Sequence, residues 1–249
     1  MKHRDLITTA GGAVAGFFLG VVVAATPCPP PQVSVAGGTS TNTTCPTGGG
    51  TSYTTNFPGT ENPISEGGKW LTGGTVGIDW NNPRTVAGEA FGAAIATTYN
   101  DDIAVLTTSF TPNQYAQGTV YRAPGYSPGV SHEVELLLHF QISANVAHGY
   151  EVLWGISGYI AIVRWEGPVG IYTALLENVN PGIGAPVDGD VFRAEIRGGV
   201  ITVFKNGQLV ATGPLDSTWQ AGQPGIGFWP TPGATQQGFG WKNYTAGSL

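Results

Sequence analysis

The last third of the chain alternates strand-like segments with glycine turns. In 191–197 the apolar residues fall at every second position, and a Gly-Gly dipeptide follows. The segment 200–205 is again largely apolar and ends at an Asn-Gly dipeptide. Because short turns of this composition connect antiparallel strands, this part of the chain predicts an antiparallel β-sheet.

Short apolar segments of the same kind recur throughout the region 56–249, whereas helical periodicity is scarce. They predict strands at 103–110, 117–122, 133–142, 150–154, 159–165, 170–176, 191–197, 200–205, 208–212, 225–228 and 238–244. Strands without interleaved helices exclude a parallel α/β fold. The pattern therefore predicts an all-β sandwich of two antiparallel sheets, with a closed barrel as the alternative.

The composition is poor in charge. Charged residues make up 10% of the chain and hydrophobic residues 41%, and the formal net charge is −6. A typical soluble domain has roughly 25% charged residues, so Thr, Ser, Asn and Gln must supply most of the polar surface. The sequence contains no basic patch that could follow a phosphate backbone, and this excludes nucleic acid as an expected partner.

The N-terminal segment has the features of an export signal. Lys2 and Arg4 precede the uncharged stretch 6–25, which ends in small residues that a signal peptidase accepts. We therefore expect a secreted or extracellular protein. The stretch 6–25 is also long enough to span a bilayer as a helix, and three of its glycines are four residues apart, so membrane anchoring remains an alternative.

Residues 26–55 are rich in Pro, Thr, Ser and Gly and contain hardly any large apolar side chain. Such a segment buries too little surface to offset its ordering entropy and is expected to be a flexible linker. Its two cysteines, Cys28 and Cys45, are expected to form a disulfide in an exported chain, or alternatively to link two chains. The folded domain is predicted to comprise residues 56–249.

Three groups of residues in this domain resemble a known family: Asn56-Phe57, Glu61-Asn62-Pro63-Ile64 and Gly67-Gly68-Lys69-Trp70 at the start; Asn113-Gln114-Tyr115-Ala116-Gln117 in the middle; Gly189-Asp190, Arg193-Ala194, Asn206-Gly207 and Gly222-Gln223-Pro224-Gly225-Ile226-Gly227 near the end. They are similar to segments of the concanavalin A-like lectin/glucanase superfamily, which includes LamG-like domains. The resemblance implies a jelly-roll sandwich. It also implies a concave sheet face, which in many members of this superfamily contacts carbohydrate.

A row of polar residues in one predicted strand is the main candidate for this face. Alternation along the strand places Glu133, Glu135, Leu137, His139 and Gln141 on one side, and the intervening apolar residues on the other. We expect the four polar members of the row to line a groove and to contact a ligand. The alternative is a solvated strand face with ion pairs to Arg122 or Arg164.

The same row lacks one residue that catalysis would need. The resembling β-glucanases carry Glu-x-Asp-x-x-Glu or Glu-x-Asp-x-Glu, but here either Leu137 or Ser131 stands where one carboxylate is required. Polysaccharide lyases of this architecture carry Gln-Ile-His, whereas this chain has Gln141-Ile142-Ser143. No catalytic residue is therefore predicted, and a hydrolase or lyase is retained as an alternative.

Aromatic residues in the neighbouring predicted strands form a second candidate group. Tyr150, Trp154 and Trp165 offer flat apolar area with a polar edge, which suits sugar rings, and Arg164 lies beside them in the sequence. We expect these four residues to contribute to the ligand site and expect Trp154 and Trp165 to be exposed. Large aromatics also fill the core of a sandwich, and this is the alternative for each of them.

Clustered oxygen ligands suggest a calcium site. Asp101 and Asp102 follow Asn100, and a second group comprises Asp79, Asn81 and Asn82. Such residues also form turns, which is the alternative interpretation. The histidines lack zinc-binding spacing, and the sequence has no glycine-rich phosphate loop.

The leading hypothesis is a non-catalytic, secreted or surface-anchored module that recognises glycans through one sheet face. A structural subunit of a surface layer, filament or virion, which would self-associate, is the first alternative. A polysaccharide hydrolase or lyase is the second.

Overall fold

The structure is a computed structural model that describes residues 50–76, 80–93, 101–127, 132–168, 170–177, 182–230 and 236–249. The export signal or anchor predicted for 1–25, most of the linker and both cysteines lie outside these residues, as do Asp79, Asn100 and Ser131. Within the described residues, no helix is long and apolar enough to cross a membrane.

The described elements are fifteen strands and one short 3-10 turn: β1 (Ser52–Thr55), β2 (Trp70–Thr72), the turn Gly73–Val76, β3 (Arg84–Val86), β4 (Glu89–Phe91), β5 (Asp102–Leu106), β6 (Gln114–Arg122), β7 (Glu133–Ser143), β8 (Val146–Gly155), β9 (Ile160–Pro168), β10 (Tyr172–Glu177), β11 (Val191–Arg197), β12 (Val200–Lys205), β13 (Gln208–Thr212), β14 (Gln223–Trp229) and β15 (Phe239–Ser248). Each of the eleven predicted strands corresponds to one of β5 to β15, so these predictions are confirmed.

The strands form two antiparallel sheets, and the predicted jelly-roll sandwich is confirmed. The eight-stranded sheet has the order β13-β12-β11-β6-β15-β4-β3, with β1 also paired to β15. The seven-stranded sheet has the order β10-β9-β8-β7-β14-β5-β2. Chain neighbours such as β7, β8 and β9 are hairpin partners, whereas β14 inserts between β7 and β5 from far along the chain.

Strand β1 was not predicted. Ser52–Thr55, at the end of the predicted linker, pairs with β15, so the folded region begins before residue 56. The Glu66 carboxylate holds this strand because it accepts hydrogen bonds from the hydroxyls of Tyr53 and Thr55 and, at 2.8 Å, from Trp70 Nε1. These polar contacts stabilise a strand that has little apolar area of its own.

The main core lies between the two sheets and is rich in large aromatic residues. Trp154 and Phe192 meet across the layers with ring centroids 5.3 Å apart. Phe228, Trp241 and Tyr244 are also almost completely buried there. Burial of aromatic side chains at this scale is the main source of the sandwich's stability.

A second apolar cluster covers the opposite face of the seven-stranded sheet, which we call the outer face. It includes Leu153 and Trp165 from the sheet itself. Trp80, which precedes β3 in the chain, lies on the sheet with its ring 4.7 Å from that of Trp165 and 6.2 Å from that of Phe140. The central strands of this sheet are therefore buried on both faces.

The predicted alternation along β7 is wrong beyond Leu138, because the strand has a bulge. His139 has a φ of 49°, and the pairing register with β8 shifts between Leu138 and Gln141. Phe140 consequently turns to the outer face, beside Leu137, instead of joining the core between the sheets. The polar row predicted from 133 to 141 is not continuous.

A close approach in the eight-stranded sheet requires a glycine. The buried Trp241 side chain lies directly against Gly118, and a Cβ added at Gly118 would stand 2.4 Å from Trp241 Cε3. A methyl group at this position must displace the indole from its packed site.

We expect Gly118→Ala to lower the free energy of unfolding by about 2 kcal/mol, which is the scale of overpacking in a tight core. Gly59→Ala is the matched control, because its Cβ would meet only Glu61 Cγ at 3.8 Å. Denaturant titrations of both variants measure the difference. Equal stability of the two variants would contradict the packing assignment.

Candidate functional site

The outer face carries a group of three glutamates near the middle of the seven-stranded sheet. Glu133 and Glu135 lie on this face, as predicted, and Glu151 joins them from β8 because it pairs with Leu137. Glu151 Oε2 accepts a hydrogen bond of 2.8 Å from Trp165 Nε1. Their exposures are only 4%, 0% and 1% in this order, so none of these carboxylates is open to a large ligand in this conformation.

Sequence reasoning overlooked the position of Glu151. The pairing register places Glu151 directly opposite Leu137, the position at which the predicted row of β7 has an apolar residue. Local spacing within β7 could not reveal this neighbour, because only the β7–β8 register brings the two positions together. Gly227, opposite Glu135 on β14, leaves the space that the Glu135 carboxylate occupies.

The expected exposure of Trp154 and Trp165 is wrong, since both side chains are completely buried. Trp154 belongs to the core between the sheets and donates a hydrogen bond of 3.0 Å to Gly184 O. Trp165 is part of the outer-face cluster under Trp80. Both tryptophans therefore fill apolar clusters, which was the alternative prediction, because β8 and β9 are central strands that are covered on both faces.

Tyr150 and Arg164 lie on the side of the sheet that faces the core, at its end. The Tyr150 hydroxyl donates a hydrogen bond of 2.7 Å to Asp216 Oδ1, and burial raises the pKa of Tyr150 to about 12. Arg164 forms ion pairs with Glu166, at 2.8 Å, and with Asp216. Both residues thereby attach the segment 213–222, which connects β13 to β14, to the sheet.

His139 and Gln141 occupy the bulge of β7. His139 is 3% exposed, and its Nδ1 and Nε2 lie 2.9 Å from Trp219 O and 2.6 Å from Pro112 O. Gln141 is exposed and donates a hydrogen bond of 2.8 Å to Ala221 O. The structure therefore divides the predicted site residues among the outer face, the core side and the bulge, and their contact with a ligand stays a prediction.

An open depression of about 500 Å³ lies at the Gln141 end of the outer face. Leu71, Phe140 and Ile142 supply an apolar floor, while Thr107, Gln141 and Gln223 supply neutral polar groups. None of the described residues that line it is charged. Of the predicted site residues, Gln141 belongs to this depression.

Thr107 and Gln223 were missed because they come from other parts of the chain. Gln223 pairs with Phe140 across β14 and β7, so the register brings it beside the bulge. The sequence contains a weak signal for it, since Gly222-Gln223 belongs to the segments that carry the family resemblance.

The predicted calcium ligands have other contacts. The buried Asp102 carboxylate accepts a hydrogen bond from Ala93 N–H, and Asn81 N donates one of 3.1 Å to Asp101 O. Across the described ranges, no three His, Cys, Asp or Glu residues are grouped so as to hold a metal ion. Calcium binding stays a prediction.

The buried carboxyl groups of Asp102 and Glu89 both have raised pKa values. Burial raises the pKa of Asp102 to about 7, against the opposing effect of the Ala93 N–H, and burial likewise raises the pKa of Glu89 to about 7. A group whose folded-state pKa is raised binds more protons in the folded than in the unfolded state. Stability is therefore expected to fall as the pH rises from about 4 to 7.

We expect Asp102→Asn to remove part of this pH dependence, since an amide keeps the acceptor for Ala93 N–H but does not ionise. The loss of stability between pH 5 and pH 8 should become smaller by roughly 2 kcal/mol. Denaturant titrations at both pH values test this. Asp188→Asn is the control. The slight burial of Asp188 acts to raise its pKa, but its contacts with Lys242 and Arg122 lower it, so this substitution should leave the pH dependence between pH 5 and pH 8 unchanged. An unchanged pH dependence in Asp102→Asn would contradict the assignment.

The sequence matches no family profile and no curated protein. Among solved structures, it is similar to a carbohydrate-binding module, CBM66, from Bacillus subtilis, with 15% identity, a TM-score of 0.49 and coverage of 74% of this chain and 95% of that one. A β-glucanase from Bacillus licheniformis shows 12% identity, a TM-score of 0.45 and coverage of 79% and 94%. The carbohydrate recognition domain of Emp46p shows 9% identity, a TM-score of 0.48 and coverage of 77% and 94%. Because identities and TM-scores are this low, the fold assignment depends on the observed strand order and not on these similarities.

Proposed function

We propose that this protein binds a neutral polysaccharide in the depression at the Gln141 end of the outer face. The observation that carries the proposal is the chemistry of the lining: an apolar floor bordered by side-chain amides and a hydroxyl, without a charged group among the described lining residues. A pocket with this composition suits a ligand that has both C–H faces and many hydroxyl groups.

The polar groups have complementary hydrogen-bonding capacity. A glutamine amide has two N–H donors and one acceptor oxygen. One donor of Gln141 is bound to Ala221 O, so its other N–H and its oxygen remain for hydroxyl groups of the ligand, together with the amide of Gln223. Leu71 and Ile142, which are half-buried, can pack against the C–H face of a sugar ring. The depression is open to solvent on one side, which allows a chain to extend beyond it.

Charge favours a neutral glycan over an acidic one. The lining residues that the structure describes include no cation that could pair with a uronate or sulfate group. The formal net charge of −6 also repels polyanions at low ionic strength.

We further propose that binding occurs without cleavage, outside the cell. The absence of cleavage is supported by the deep burial of Glu133 and Glu135, which separates both carboxylates from any polymer in the depression. The extracellular location is supported by the charge-poor composition and by the signal-like N-terminal segment.

We expect Gln141→Ala and Gln223→Ala each to weaken binding of a neutral polysaccharide about tenfold, since each removes hydrogen bonds to the ligand. The full chain would be titrated by calorimetry with soluble β-glucan, mannan and xylan, and with alginate as the acidic comparison. Gln208→Ala on the edge strand β13 is the matched control, because Gln208 is exposed and distant from the depression in the strand order.

Equal weakening by Gln208→Ala would show that the effect is not local. Binding of alginate but of none of the neutral polymers would contradict the proposal.

A second candidate function, self-association into a larger assembly, is favoured by the sandwich edge. The edge strands β10 and β13 end their sheets, and β10 carries one charged residue, Glu177, at its end. Ala174 on β10 and Leu209 on β13 are exposed, the latter by 60%. An edge strand with few charges and without Lys or Pro is open to pairing with another chain.

In this second candidate, β10 of one copy pairs antiparallel with β10 of another copy. The two-fold arrangement places Glu177 opposite Tyr172, so like charges do not meet. We expect concentration-dependent dimers of the wild-type chain and monomers of Ala174→Lys in analytical ultracentrifugation. Asn243→Lys, on the inner strand β15, adds the same charge away from the edge and should still dimerise. A wild-type chain that stays monomeric at every concentration would contradict this candidate.

A further inference from the structure

His139 lies in the bulge of β7, where three parts of the chain come together. Gly149 on β8 and Gly222 before β14 stand on either side of it, and a Cβ at Gly222 would be only 2.2 Å from the His139 carbonyl carbon. The bulge is thus packed tightly against the segment 213–222. Segment 107–113, between β5 and β6, approaches from another direction through Pro112.

Both ring nitrogens of His139 face hydrogen-bond acceptors. Nδ1 lies 2.9 Å from Trp219 O, and Nε2 lies 2.6 Å from Pro112 O. A carbonyl oxygen can only accept a hydrogen bond, whereas a neutral imidazole has one N–H to donate. In the neutral form, one ring nitrogen would therefore place its lone pair against a carbonyl oxygen in a site that is 3% exposed.

We propose that His139 acts as a proton-dependent clasp on the rim of the ligand site, where the rim consists of segments 107–113 and 213–222. As an imidazolium it donates one hydrogen bond to Pro112 O and one to Trp219 O, and so holds segments 107–113 and 213–222 against β7. When the proton leaves to solvent, one of these two hydrogen bonds is lost, and the rim is held less firmly.

The surroundings of the ring contain few competing charges among the described residues. The ring of Tyr150 lies 6.1 Å away, and the hydroxyl of Tyr150 is bound to Asp216, which also pairs with Arg164. His148 stacks on the Trp219 ring at 4.2 Å, and burial lowers its pKa. The pH dependence of His148 must therefore be separated from that of His139 by experiment.

Gln114 links the clasp to the depression. Its Oε1 accepts a hydrogen bond of 3.4 Å from His139 N, and its Nε2 donates to Thr111 O and Gly222 O, each at 3.1 Å. Gly222 lines the depression together with its neighbours in the chain. Protonation of His139 is thus coupled to the position of the rim. Any effect on ligand affinity rests on the proposed function, whereas the hydrogen bonds of the clasp do not depend on it.

The first experiment uses the wild-type full chain with ¹⁵N-labelled histidine. NMR at pH 5.5 should show two ring N–H protons on His139, both protected from solvent exchange. A single N–H on a neutral ring at pH 5.5 would overturn the proposal, and this result does not depend on any variant.

The second experiment measures hydrogen–deuterium exchange in segment 213–222, corrected for the intrinsic pH dependence. In the wild type, exchange should be about tenfold slower at pH 5.5 than at pH 8, as expected for the loss of a hydrogen bond to a charged group. His139→Gln should abolish this difference, and His148→Gln, the matched control, should keep it. A difference that survives in His139→Gln but disappears in His148→Gln would assign the effect to His148 and overturn the clasp.

The third experiment titrates the neutral polysaccharide that binds best at both pH values. We expect tighter binding at pH 5.5 in the wild type and no pH effect in His139→Gln. If no polysaccharide binds but the exchange difference is present, the proposed function fails and the clasp stands.

Discussion

The structure depends on the burial of the seven-stranded sheet on both of its faces. One face packs against the eight-stranded sheet, and the other is covered by the apolar cluster around Trp80 and Trp165. Double burial explains why most residues of β7, β8 and β9 are buried, whichever face of the sheet they lie on. It also places Glu135 and Glu151 in a region where a charged group must have specific partners to remain ionised.

This double burial moves the candidate ligand site away from the middle of the sheet. A groove along the centre would have exposed the polar row of β7, but the structure buries those carboxylates. The open surface lies instead at the end of the sheet, where the bulge at His139 turns Phe140 outward and leaves Gln141 exposed. Because a bulge changes which side chain faces which side, one residue decides the composition of the site.

Much of the strand pattern was predictable from local sequence. The segments 191–197, 200–205 and 208–212 match β11, β12 and β13 residue for residue, because tight turns with glycine mark both ends of each strand. β1 to β4 were missed, since each has only three or four residues and is stabilised by contacts such as those of Glu66 with Tyr53 and Trp70. Such contacts leave no periodic signal.

The sequence by itself determined the all-β architecture and the low-charge surface, because alternation, turn residues and composition are local properties of the chain. Only the tertiary structure decided the surroundings of each site residue. Trp154 and Trp165 have equivalent local patterns, yet one fills the core between the sheets and the other the outer-face cluster. The physical reason is that burial, bulges and pairing register depend on strands from distant parts of the chain, as when β14 brings Gln223 beside the end of β7.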